Sequence, residues 1–177
     1  MGTVNIDLYS DELEFKVLSL SDFYVVKWLI QFRDKIDPYF NIELNNNIYE
    51  AGDVNRFNQE IINIYVYLDE LIERRKFNKQ QLGIIYFLSR GYTYKETGDI
   101  LNIPSSHNVH KKFNKICKDI VKMNEWVRLS YTYKNVIGMR TKVCSKCKEE
   151  LPAIDEFFTD KKDAKDGFHP YCKMCRR

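Results

Sequence analysis

The spacing of apolar positions changes along this 177-residue chain, and each change predicts an element. Phe23 to Phe32 is apolar and aromatic, which predicts a buried helix ending near Asp37-Pro38. Asn41 to Asn47 is Asn-rich and predicts a loop. Asp53 is then placed as the N-cap of a long helix. From there Val54, Phe57, Ile61, Ile64, Leu68 and Leu71 recur at alternating spacings of three and four. That stripe reads first as a helix packed on its own domain, and second as a dimerisation seam.

Residues 78–90 predict an amphipathic helix with Leu82, Ile85 and Leu88 inward and Gly91 as its left-handed cap. Thr93 and Glu96 form a capping box for a short helix to about Asn102. Pro104 breaks the chain, and Ser105 or Ser106 caps a third helix to about Asn124. Trp126 to Tyr133 alternates apolar and polar residues, which predicts a strand, with a continued helix as the other reading. A cysteine-bearing segment starts near Arg140.

The third helix can be tested by angle, at about 100° per residue. Val109, Phe113, Ile116 and Ile120 then share one apolar face. His107, Lys111, Asn114, Lys115, Lys118 and Lys122 fall on the opposite side, with Asp119 at the margin. A glycine inside a helix costs about 1 kcal/mol relative to alanine. Gly98 in the short second helix therefore predicts a close crossing of the third.

Charge strengthens this picture. The balance is −9 over residues 1–73, +8 over 74–128 and +4 over 129–177. A basic middle is the footprint expected of a nucleic-acid binder, and the acidic first part should face something else. The expected DNA contacts are His107, Asn108, His110, Lys111, Asn114, Lys115, Lys118 and Lys122. The N-terminal members lie closest to base edges, and the later lysines meet phosphates.

The stretch from Gln80 to Val121, with "RGYTYKETGDILNI" and the Val109, Phe113, Ile116, Ile120 ladder, resembles the helix-turn-helix of LuxR-type regulators and of region 4 of sigma-70 factors. The resemblance implies a recognition helix in the major groove, here on residues 106–118. Gly98 stands where those proteins more usually carry alanine.

Cysteine spacing adds a metal. Cys144, Cys147, Cys172 and Cys175 follow C-x2-C-x24-C-x2-C. Two knuckles of this kind close a tetrahedral shell around one structural Zn²⁺ and leave no position for water. Lys142, Lys146, Lys148, Lys173, Arg176 and Arg177 would offset the thiolate charge, and Leu151, Phe157, Phe158 and Phe168 would supply a small core. Cys117 stands apart as a small buried hydrophobe. Asp160, Asp163 and Asp166 lack the calcium-loop spacing and read as a solvated loop. The segment from Lys142 resembles a zinc-finger module of bacteriophage proteins, similar to a treble clef and often found beside HNH endonucleases. No paired histidines follow it here, so the expectation is a protein without enzymatic activity.

These readings predict a mainly α-helical protein in four parts. They are an acidic helical region at 1–76 for partner binding or dimerisation, a helix-turn-helix domain at 77–124, a connector at 125–139 and a zinc finger at 140–177. The expected function is sequence-specific binding of double-stranded DNA, as a phage or mobile-element transcription regulator. The alternatives are a sigma-like factor that meets RNA polymerase through its acidic region, and a small terminase-like packaging protein. A homodimer is compatible with the seam. No apolar run approaches the roughly 20 residues of a membrane span, and no export signal opens the chain, so the expected location is the cytoplasm of a bacterial or phage-infected cell.

Overall fold

The computed structural model describes residues 18–37 and 59–176. The loop at Asn41 to Asn47, the cap at Asp53, and Val54 and Phe57 lie outside these residues. The described chain is mainly helical and divides between Val121 and Lys122 into two compact units.

In the first unit, α1 spans Phe23–Gln31. Asp22 caps it, its carboxylate accepting from the amides of Tyr24 and Val25 at 2.6 and 3.3 Å. Val25, Val26, Leu29 and Ile30 are its buried face. A short α2 follows, Arg33–Ile36, so the apolar run ends where expected. Helix α3 spans Gln59–Arg75. Its Tyr65, Leu68 and Leu71 are buried within the unit, as for a helix packed on its own domain. The Tyr65 hydroxyl donates to the Leu29 carbonyl at 3.0 Å, and Arg33 makes a two-pronged pair with Asp69 at 2.6 and 2.7 Å.

Three helices complete the unit. Helix α4 spans Lys79–Leu88 and starts with a reciprocal cap between Asn78 and Gln81. One inward position differs from expectation: Leu82 is 44% exposed, and Ile84 joins Ile85 and Leu88 in the core. Gly91 takes φ of +80°, and the Tyr92 amide reaches back to the Phe87 carbonyl, closing the helix end. Helix α5 spans Tyr94–Ile100 behind the Thr93–Glu96 capping box. The Thr93 amide and hydroxyl donate to Glu96 and hold its carboxyl below the ordinary range.

Helix α6 spans Ser106–Tyr131. Ser105 caps it, its hydroxyl oxygen accepting from the Asn108 amide at 3.2 Å. Val109, Phe113, Ile116 and Ile120 are all fully buried, so the apolar ladder faces the core throughout. A Cβ on Gly98 would lie 3.3 Å from both the Ile103 carbonyl oxygen and Val109 Cγ2. The small residue thus serves the close approach of α5 to the turn and to the start of α6.

Helix α6 does not stop near Asn124, and Trp126 to Tyr133 is not a strand. The helix runs on to Tyr131, and a π-helical turn, Thr132–Val136, follows. Trp126, Leu129 and Tyr133 are spaced by three and four, and all three pack on the core of the second unit. That burial selects the helical period over the alternating one.

The rest of the second unit is two small hairpins and a helical turn. Strand β1, Thr141–Val143, pairs antiparallel with β2, Glu150–Pro152, with Lys142 opposite Leu151. Strand β3, Phe158–Asp160, pairs antiparallel with β4, Phe168–Cys172, with Phe158 opposite Cys172. Helix α7 spans Lys173–Arg176. Leu151, Phe157 and Phe158 form the apolar centre, with the Trp126 ring 4.5 Å from that of Phe157 in an edge-on contact. Among the described residues no helix is long and apolar enough to cross a membrane.

Candidate metal centre and nucleic-acid interface

The turn between β1 and β2 carries Cys144 and Cys147. Cys172 ends β4, and Cys175 lies in α7. The strands thereby bring together two pairs with 24 residues between them in sequence. All four Sγ atoms lie within 4.8 Å of one another, and Cys147 Sγ is 3.9 Å from Cys172 Sγ. Zinc–sulfur bonds of about 2.3 Å in a tetrahedron require sulfurs about 3.8 Å apart. The arrangement fits that ion. All four thiols are free.

The backbone prepares the sulfurs. Lys148 takes φ of +65°, and its amide donates to the Cys144 carbonyl at 2.9 Å, which folds the first knuckle back on itself. The Cys172 amide donates to Cys144 Sγ at 3.3 Å. Burial disfavours the Cys144 thiolate, but amide donors from Cys172, Cys147 and Lys146 outweigh it and bring that thiol down to about 6. Burial pushes the Cys147 thiol up to about 11 and Cys172 upward as well. Four adjacent sulfurs cannot all ionise unaided. A divalent cation is the charge that would allow it.

The surrounding cations divide. Lys146 Nζ donates to the Cys175 carbonyl at 2.9 Å, beside the cluster. Lys142 is engaged elsewhere: it pairs with Asp166, donates to the Phe168 carbonyl and lies over the Phe158 ring. It is a brace between the hairpins rather than a counter-charge for the thiolates. Asp166 in turn is held below its ordinary range by Lys142 and the Phe168 amide. His169 is not one of the four clustered ligands.

The other candidate face lies on α6. His107, Asn108, Lys111, Lys115, Lys118 and Lys122 are exposed. Asp119 is buried at the helix margin and accepts from Arg75 of α3 at 3.0 Å. His110 and Asn114 depart from expectation, because both are half-buried. His110 Nε2 lies 3.4 Å from Lys27 Nζ of α1 and 3.3 Å from Asn114 Nδ2, and its ring meets Tyr94 edge-on at 5.3 Å. Two donors on Nε2 make that nitrogen the acceptor. Burial, then the charge of Lys27 and His107, lower the His110 pKa and favour the neutral ring. The Asn114 Oδ1 is buried with no hydrogen-bond partner among the described residues. Helix α1 supplies the cover. Lys27 is 83 residues away in sequence, so no local signal announces it.

Cys117 is buried on the inner flank of α6, and desolvation pushes its thiol up to about 12. That is the environment of a small apolar side chain, not of a reactive thiolate.

No protein-family model matches the chain, and no solved structure matches it significantly. Over 46 residues it is 46% identical to the "SPbeta prophage-derived putative HNH endonuclease YoqL" of Bacillus subtilis (strain 168). The match takes in 26% of this chain and 20% of that protein's length. The expectation of a protein without enzymatic activity is corrected by this finding: the relative that carries the likeness is named as an enzyme.

Proposed function

We propose that this chain is a phage-related protein that binds double-stranded DNA, with α5 and α6 acting as a helix-turn-helix and α6 lying in the major groove. One observation carries the reading: the exposed side of α6 bears Lys111, Lys115 and Lys118, while Asp119 is turned to Arg75. Lysines on such a face neutralise phosphates and release counterions. His107, Asn108 and Lys111, near the helix start, are the residues that read base edges; His110 and Asn114 support them from within the unit. Cys144, Cys147, Cys172 and Cys175 hold one structural zinc ion, and control of transcription is the role this recognition serves.

Selection of bound DNA from a random library, followed by mobility shifts at several salt concentrations, tests the reading. Recovery of a sequence motif, lost on Lys111→Glu with Lys115→Glu, is the expected result. Binding untouched by that pair would refute it. The likeness to an HNH endonuclease favours a second reading, in which the same recognition serves DNA cleavage. Nicking of supercoiled plasmid by the full chain with Mg²⁺ separates the two roles.

A further inference from the structure

The second unit has an open cleft of about 600 Å³ beside Cys175, lined by Ser145, Lys146, His169, Tyr171, Cys175 and Arg176. Its lining holds two cations, two hydroxyls and an imidazole, and no carboxylate. We infer that this cleft is a second DNA-binding site, which takes a phosphodiester segment of the backbone independently of α6.

The donors converge by local geometry. Ser145 is tied to β4, its amide donating to the Pro170 carbonyl at 2.9 Å. The Tyr171 amide donates to His169 Nδ1 at 3.3 Å. That bond makes Nδ1 the acceptor and leaves the proton of the neutral ring on Nε2, where it can be donated to an anion. The His169 and Tyr171 rings lie 5.4 Å apart, and Tyr171 is 41% exposed. Lys146 Nζ is held at the cleft by the Cys175 carbonyl, an acceptor that leaves two of its three protons for a ligand. Arg176 adds a planar guanidinium, the group best matched to phosphate oxygens. Each of these groups donates, as an anionic, acceptor-only ligand requires. Sugar and phosphate contacts carry no sequence information, so this site adds affinity without adding specificity.

The inference rests on the second unit being folded around its metal, and not on α6 reading DNA. The test uses the full, zinc-loaded chain, a labelled DNA duplex and fluorescence anisotropy over a salt series. Loss of two phosphate contacts reduces the slope of log affinity against log salt by about two, equally for all sequences. Lys146→Ala with Arg176→Ala is expected to show that reduction while zinc content stays at one per chain. Lys111→Glu with Lys115→Glu instead abolishes the sequence preference and leaves the weak binding of the cleft. Since Lys146 also supports the Cys175 carbonyl, Arg176→Glu alone provides a variant that leaves that bond in place, and it too must lower the slope. As a further check, amide NMR shifts on adding a short duplex should move residues 145, 146, 169 and 171. An unchanged slope in both variants, or shifts confined to residues before 122, would overturn the inference.

Discussion

Removal of zinc is the perturbation with the largest expected effect, and its size can be worked from the core of the second unit. One buried cluster of five residues lies there: Cys144, Leu151, Phe157, Phe158 and Cys172. Two of the five are proposed ligands, which leaves three apolar side chains worth about 1.5–3 kcal/mol each. Together they contribute about 5–9 kcal/mol before any ordering cost. A structural zinc site contributes about 10–16 kcal/mol near neutral pH. The metal therefore outweighs these three side chains, and the hairpins should not persist without it. The assay uses Trp126, whose ring abuts Phe157, as the reporter. Trp28→Phe makes it the sole tryptophan of the chain. A high-affinity zinc chelator is expected to shift Trp126 emission to the red and open residues 140–176 to proteolysis. The first unit, which holds none of the four cysteines, should melt at an unchanged temperature. If chelated protein with well under one zinc per chain kept its Trp126 emission and its protease resistance, the reasoning would fail.

Gly98 and Cys117 provide two further tests in the first unit. Gly98→Ala gains about 1 kcal/mol in helix propensity but presses a methyl to 3.3 Å from Ile103 and Val109, so urea unfolding should place it close to the parent. Gly98→Leu overpacks the same contact and should cost about 2–3 kcal/mol; equal stability of the two variants would show that the approach of α5 to α6 does not demand a small residue. Cys117 is raised from its ordinary 9 to about 12 by burial, so the stability it contributes is fully present below pH 9 and is lost as pH rises toward 12. Cys117→Ala should flatten that alkaline limb, and an unfolding profile between pH 9 and 11 that overlays the parent would count against it.

The elements that local chemistry specifies were readable from the sequence. Thr93 and Glu96, Gly91, and Pro104 with Ser105 mark boundaries through groups a few residues apart. The cysteine pairs were readable for the same reason, since a two-residue spacing already points both thiols of a pair at one ion. What failed depended on distant packing. The stretch from Trp126 to Tyr133 fits both a strand and a helical period, and only the burial of Trp126, Leu129 and Tyr133 decides between them. The run "LGIIYFL" is apolar all round, so its pattern could not show that Ile84 rather than Leu82 turns inward. Asn114 was placed by an angle measured from the core of a single helix, and His110 by its closeness to the helix start. Neither construction contains α1, whose Lys27 meets His110, or the Tyr94 ring that lies against it.

The pairing of Arg75 with Asp119 reaches beyond the anchoring of α3. Asp119 is the one acid on α6 before Glu125, set among Lys111, Lys112, Lys115, Lys118 and Lys122. With Arg75 beside it, its negative field is closed off locally and the lysine potential extends outward over about a Debye length, roughly 8–10 Å at ordinary salt. Arg75 thus tunes the reach of a surface to which it contributes no contact. Its substitution would make the surroundings of α6 less positive without changing any exposed lysine.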